Sequence, residues 1–343
     1  MRENKNDKAA NKDVLIQADE EYDANVPPAE GQTANIPPIE EHTATIQIRN
    51  GSGGENIRIF KWKANEPKAL LQIAHGMAEH PARYDDFARF LTDHGISVYM
   101  NEHAGHGKEA STLGFFPGPD GISHVVDDMK SLTDEMKGEH SELPIFLLGH
   151  SMGSFLARIY ITKYAEGLTG CILSSTAGPN PLEGVVLSIA KIQSKLKGPK
   201  SEAKFIDNLT GGMYLKRIKD PVNKRAWLST VDDLCIKYDE DPYCGFVFTA
   251  QGYEGLLGMM VEINRKEWAG KVPTQLPVYL FAGSEDPVGD YGKGVIEVYR
   301  RLKDAGLTDL TAKLYPGGRH EMLNEANKEE VYDDTLAWLE AHV

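Results

Sequence analysis

From about residue 45 onward the chain alternates between short apolar runs and amphipathic stretches. Thr43–Ile48 and Ile57–Trp62 alternate apolar with polar positions, and Asn50-Gly51-Ser52-Gly53-Gly54 between them supplies turn residues, which predicts an opening hairpin. The runs Ala69–Ala74, Ile96–Met100, Ile145–Leu148, Cys171–Leu173 and Val278–Ala282 show little alternation. Such runs suit strands buried on both faces of a parallel sheet. Helical spacing lies between them: Tyr84, Phe87, Ala88 and Leu91 share one face, as do Val125, Met129 and Leu132, and later Val331, Leu336 and Leu339. Strands alternating with helices predict an α/β sheet with right-handed crossovers.

Two regions depart from this rhythm. Residues 176–275 amount to roughly a hundred positions of helix-like pattern with no buried strand, too long for a structureless loop, so they are expected to form a helical cap over the sheet edge. The cap separates two parts of one core, 45–175 and 276–343. Residues 1–44 hold one aromatic, Tyr22, many acids and paired prolines. Ala24–Glu30 recurs as Ala34–Glu40 at a ten-residue period, too short for a solenoid unit. This composition predicts a disordered acidic tail, with a docking peptide as its functional alternative.

Composition narrows the class. In 343 residues, 41% are hydrophobic and 26% charged, which suits a globular chain with a sizeable core. Lys plus Arg total 37 against 51 for Asp plus Glu, a net charge of -14 that argues against nucleic-acid binding. Three cysteines do not make a disulfide framework, and Cys171, Cys235 and Cys244 are expected to pack as small hydrophobes. No run of about 18 apolar residues predicts a membrane span. The N-terminus lacks the apolar centre of a signal peptide, so a cytoplasmic location is expected.

The chemistry begins at Gly149-His150-Ser151-Met152-Gly153, directly after an apolar strand and before the helix-like Phe155–Tyr160. A serine nucleophile on a sharp strand-to-helix turn needs small neighbours, here Gly149 and Gly153. The bland alternative is a Gly-rich turn with an idle serine. An active serine needs a base, and the base needs an orienting acid, in the chain order Ser, acid, His. Of eleven histidines only His320 and His342 lie beyond Val278–Ala282. His342, the penultimate residue, is expected in solvent; His320 sits in a loop after the strand-like Leu310–Leu314. For the acid, Gly283-Ser284-Glu285-Asp286-Pro287 ends the preceding strand, and Asp286 is the choice over Glu285 and Asp290. Oxyanion donors are expected from the backbone N–H of Met152 and, in the loop His75-Gly76-Met77-Ala78, of Met77.

Together with those motifs, His75-Gly76-Met77-Ala78-Glu79-His80 with Arg83-Tyr84, Gly105-His106-Gly107 and Arg319-His320-Glu321-Met322-Leu323-Asn324-Glu325 resemble the monoacylglycerol lipase and lysophospholipase branch of the α/β-hydrolases, often grouped with the serine aminopeptidases. The resemblance spans roughly residues 45–343. It implies the α/β-hydrolase fold, with a mostly parallel eight-stranded sheet, helices on both faces and a helical cap. It further implies ester hydrolysis of a single-chain lipid, no cofactor, and a triad of Ser151, Asp286 and His320. One departure is Ala104, where such proteins often carry Arg before the first glycine of Gly105-His106-Gly107.

Other features keep plainer readings beside them. His103 and His106 lack the accompanying ligands of a zinc site and are expected to be satisfied loop histidines, so no metal is expected. Glu79, His80 and Arg83 either brace the oxyanion loop or form a helix-start ion pair. In the cap, Leu182, Val185, Val186, Ile189 and Leu196 fall at helical spacing beside Lys191, Lys195, Lys197, Lys200 and Lys204. They read as a helix with its apolar face on the core, or as a lid that makes transient contact with a membrane surface. A peptidase or amidase on the same scaffold, a short-chain esterase and a non-catalytic ligand receptor are the competing functions.

Overall fold

A computed structural model describes residues 44–118 and 121–343. Residues 1–43, the acidic tail up to Thr43, lie outside the described residues. The hairpin consists of β1 (Thr45–Asn50) and β2 (Asn56–Trp62), paired antiparallel from Thr45 opposite Lys61 to Asn50 opposite Asn56. Gly54 takes the tight turn between them at φ 86°, a conformation open to glycine because it lacks a Cβ.

The remaining strands are β3 (Ala69–Ala74), β4 (Ile96–Asn101), β5 (Ile145–His150), β6 (Gly170–Ser174), β7 (Val278–Gly283) and β8 (Leu310–Tyr315). They join the hairpin in one eight-stranded sheet of order β1-β2-β4-β3-β5-β6-β7-β8. Only the β1–β2 and β2–β4 pairs are antiparallel. Every residue of β3, β4, β5, β6 and β7 is buried, which explains why these runs do not alternate. The strand order reverses between β3 and β5, so their carboxyl ends flank a crevice, the usual ligand position in an open α/β sheet.

Helices cover both faces. On one face α2 (Ser123–Glu139), α3 (Met152–Lys163) and α8 (Lys293–Asp304) pack with Val125, Met129, Leu132, Leu156 and Val295. On the other, α1 (Asp85–Asp93) and α9 (Lys328–Glu340) pack with Phe87, Leu91, Val331, Leu336 and Leu339. These are the faces that the helical spacing predicts.

Between β6 and β7 lie α4 (Glu183–Lys197), α5 (Lys204–Tyr214), α6 (Asp232–Glu240) and α7 (Ala250–Ile263). Helix α4 packs on α7, and α7 rests on α3. Arg158 of α3 is fully buried and holds both ends of this insertion. Its guanidinium donates to Ala177 O at 2.8 Å and Ile263 O at 2.7 Å, and lies 4.2 Å from the Trp268 ring centroid. Burial lowers its pKa to about 9. Among the described residues no helix is long and apolar enough to cross a membrane.

Candidate active site

Strand β5 delivers Ser151 to the crevice. The chain must reverse there from strand to helix within one residue, and Ser151 takes φ 53°, ψ -119° to do so. A non-glycine residue at positive φ is strained, and such strain collects at functional sites. The turn is also crowded. A Cβ on Gly153 would lie 1.9 Å from Ala74 O, and one on Gly149 would lie 2.3 Å from Gly153 O. Both positions therefore require glycine. Met152 is the first residue of α3, so its N–H has no acceptor within the helix.

The loop after β3 reaches the same point: a Cβ on Gly76 would sit 3.3 Å from the Ser151 Cβ. Met77 follows, and Ala78 takes φ 53°. The loop is fixed by its neighbours. His75 Nε2 accepts from His103 N at 3.0 Å, and its Nδ1–H donates to Gly76 O at 2.9 Å. Ala78 N donates to His106 Nε2 at 3.2 Å. Ala78 O accepts from Tyr238 Oη at 2.7 Å and from Gly245 N at 2.9 Å, both from the insertion. Burial holds His75 and His106 at pKa values of about 3, so both are neutral acceptors here. His106 is thus a satisfied loop histidine that supports Ala78, whereas the expectation fails for His103, whose two ring nitrogens are buried without a hydrogen-bond partner among the described residues.

Glu79 is the central brace. Its carboxylate accepts from Gly76 N at 2.5 Å, from Tyr84 Oη at 2.8 Å and from Arg83 at 2.6 Å. Burial disfavours its charge, but Arg83 and these donors outweigh burial and keep its pKa below the usual carboxylate range. Arg83 reaches on to Glu321, beside His320, so the group ties the loop of His75–Ala78 to the loop of His320. Both sequence readings of Glu79 and Arg83 are met: they form an ion pair at the start of the helix, and Glu79 also accepts from Gly76 N. His80 instead donates from Nε2 to Asp241 Oδ2 at 2.9 Å.

Asp286 and His320 meet through Nδ1–H and Oδ1 at 3.0 Å, and both are almost fully buried. Val288 N also donates to Asp286 Oδ1 at 2.9 Å. The Nδ1 bond fixes the imidazole tautomer that leaves Nε2 as a base. Burial opposes protonation of His320, yet the charge and hydrogen bond of Asp286, with Glu321 and Glu79 behind them, raise its pKa above the ordinary histidine value. The His320 ring centroid lies 4.9 Å from that of His150, next to Ser151. Glu285 and Asp290 are exposed. His342 is half-buried rather than solvated, because its ring packs on Trp338 and bonds to Trp338 O and Asp309 at the far end of α9.

Sequence reasoning missed the part played by residues 226–230. Arg319 donates to Ala226 O at 2.6 Å and to Ser229 O at 2.9 Å. Glu321 N donates to Leu228 O at 2.7 Å, and Thr230 N donates to Glu325 at 2.9 Å. Trp227 places its ring 5.0 Å from that of His320, with Tyr214 of α5 behind it at 4.8 Å. No local pattern announces these contacts; the only signal is the charged Arg319-His320-Glu321 phrase, whose two flanking side chains need distant partners.

The three cysteines are free and buried.

The serine aminopeptidase, S33 family model matches residues 65–327. A monoglyceride lipase of Homo sapiens is 30% identical over 271 residues, which cover 77% of this chain and 79% of that protein. A monoacylglycerol lipase of Mycolicibacterium smegmatis is 25% identical over 296 residues, covering 85% and 96% of the two chains. The crystal structure of a thermostable carboxyl esterase from Bacillus coagulans in complex with glycerol superposes with a TM-score of 0.82 at 30% identity, over 88% of this chain and 99% of that one. By the extent of the family match and the shared sheet, the chain belongs to the serine aminopeptidase, S33 family of α/β-hydrolases.

Proposed function

We propose that this carboxylic ester hydrolase cleaves the acyl ester of a single-chain lipid, a monoacylglycerol or a lysophospholipid, through a Ser151–His320–Asp286 triad. The observation that carries the triad is the buried His320–Asp286 bond at 3.0 Å beside a serine held at positive φ. Ser151 Oγ attacks the acyl carbonyl while His320 Nε2 takes its proton. Asp286 holds the imidazole and stabilises the imidazolium. The tetrahedral oxyanion receives the N–H groups of Met77 and Met152. His320 then returns the proton to the leaving alcohol, and an acyl-Ser151 intermediate remains. Water attacks it with His320 again as base, which releases the fatty acid and restores Ser151.

The lipid assignment is supported by the cap surface and by the lipase relatives. Leu182, Val185, Ile192 and Leu196 of the α4 region and Phe205 and Leu209 of α5 are exposed, with Leu196 at 77% and Phe205 at 64%. Lys191, Lys195, Lys197 and Lys204 are exposed beside them. Of the positions at helical spacing, Val186 and Ile189 are half-buried against the core, whereas Leu182, Val185 and Leu196 face outward. An apolar surface ringed by lysines fits an anionic lipid interface.

The test is fatty-acid release from a long-chain monoacylglycerol and a matching lysophospholipid, with wild type beside Ser151→Ala. Serine-dependent release supports the reading, and the ratio of the two rates assigns the headgroup. Release that persists in Ser151→Ala refutes the site. Peptide-amide turnover above ester turnover refutes the substrate class.

A further inference from the structure

Beside the oxyanion loop, three side chains of different chemistry converge without any role in the proposed hydrolysis. His80 comes from the core, next to Glu79. Asp241 and Cys244 come from the turn that ends α6. One ligand atom from each, the imidazole nitrogen, a carboxylate oxygen and the thiol sulfur, lies within 4.8 Å of the other two. His80 and Asp241 are separated by 161 positions in sequence, so no spacing pattern reveals the group.

The turn itself presents the two cap ligands together. Cys244 N donates to Asp241 O at 3.0 Å, and Tyr243 N donates to Asp241 Oδ1 at 2.8 Å. Those bonds occupy the carbonyl and one carboxylate oxygen and leave Oδ2 facing His80. A hydrogen-bonded His80–Asp241 latch would need no sulfur. The buried Cys244 thiol at the same point is the extra feature.

Charge and access also fit a cation. Two guanidiniums near the group are already engaged, Arg83 with Glu79 and Glu321 and Arg225 with Gly245 O. His80 and Asp241 line a cleft of about 420 Å³ that also carries Glu102 and Glu240, with Arg58, Lys108 and Lys237 among its walls. Water in the cleft can reach the two half-buried ligands.

The geometry points to a zinc-class divalent cation site made by His80, Asp241 and Cys244, with a cleft water as fourth ligand, that clasps the cap to the loop carrying Met77. Imidazole, carboxylate and thiolate in a tetrahedral set suit zinc, with bonds of about 2.0 Å to nitrogen and oxygen and about 2.3 Å to sulfur. Ligand atoms so placed lie roughly 4 Å or less apart, so the observed set closes on an ion by small side-chain rotations. On binding, the ion takes the place of the Nε2 proton of His80, which moves to Nδ1 so that the ring ligates in its neutral form, and the Cys244 thiol proton leaves to solvent.

The experiment uses the full chain, stripped with chelator and titrated with cobalt(II), which reports its own ligands. Wild type is expected to take up one equivalent, with tetrahedral d–d bands and a thiolate-to-cobalt charge-transfer band. Cys244→Ser should lose the charge-transfer band, while Cys235→Ser, a buried thiol outside the set, should keep it. Because removal of a mere outer-shell partner costs about 10–100-fold in affinity, loss of a ligand in Cys244→Ser or Asp241→Asn should cost at least about 100-fold. Zinc should raise the thermal midpoint of wild type and not of Cys244→Ser. Circular dichroism of the metal-free variants checks that they fold. No cobalt uptake by folded wild type, or a charge-transfer band that survives in Cys244→Ser, overturns the site. The readout is a spectrum, so its failure is distinct from failure of the hydrolase reading.

Discussion

Arg83 and Glu321 are joined by two parallel bonds of 2.8 and 2.6 Å across 238 positions of sequence. The pair is buried, and Glu79 shares the same guanidinium. Removing the cation leaves two buried carboxylates facing each other, and breaking a buried ion pair from one side typically costs about 3–5 kcal/mol. Arg83→Met is expected to lose stability on that scale in denaturant unfolding and to lose hydrolysis with it. Arg83→Lys should fall between, because an ammonium cannot reproduce the two parallel bonds.

At Ser151 the strain makes a second prediction. Both Ser151→Ala and Ser151→Gly should be inactive, which tests the nucleophile. The two should differ in stability. Alanine keeps the unfavourable φ of 53°, whereas glycine relieves a strain of about 1–3 kcal/mol and gives back up to about 1 kcal/mol in chain entropy. Ser151→Gly should therefore unfold at a higher temperature than Ser151→Ala. A midpoint of Ser151→Gly below that of Ser151→Ala would mean that the turn is unstrained.

The pH profile follows from His320. Only the neutral imidazole can take the serine proton, so activity should fall as pH drops through the histidine pKa. The charge of Asp286 raises that pKa, so the acid limb of kcat/KM should have its midpoint above the ordinary value of about 6.5. Asp286→Asn removes the charge, which should move the limb to lower pH and cut kcat by about 10⁴-fold.

The exposed cap face separates interfacial from soluble substrates. Leu196→Asp with Phe205→Asp should lower turnover of lipid presented in anionic vesicles and leave turnover of a water-soluble short ester unchanged. Both residues lie outside the triad and the loops that brace it. Equal loss on both substrates would assign these side chains to folding or to the acyl pocket.

How much of this could be read from the chain depends on the range of the contacts. The strands through Ala69–Ala74 and Val278–Ala282 are legible because burial on both faces excludes polar residues from them. Gly149, Ser151 and Gly153 are legible because a crowded turn admits few residue types. Chain order brings His320 and Asp286 into view as a pair. The outward face of Leu196 and Phe205 is not legible, since helical spacing is the same whichever way a helix turns its apolar side. Nor is the Arg83–Glu321 bond or the His80–Asp241–Cys244 group, because each is created only when the insertion and the histidine loop settle on the core.

The stitching of residues 226–230 to Arg319, Glu321 and Glu325 carries a consequence for modularity. The insertion is wired into the backbone that presents His320, and Arg158 pins its two ends to the helix that follows Ser151. It cannot swing away as one rigid flap without dismantling that presentation. By the same logic this segment cannot be exchanged for a relative's as a cassette: a chimera must carry Ala226–Thr230 and the 319–325 loop from one parent.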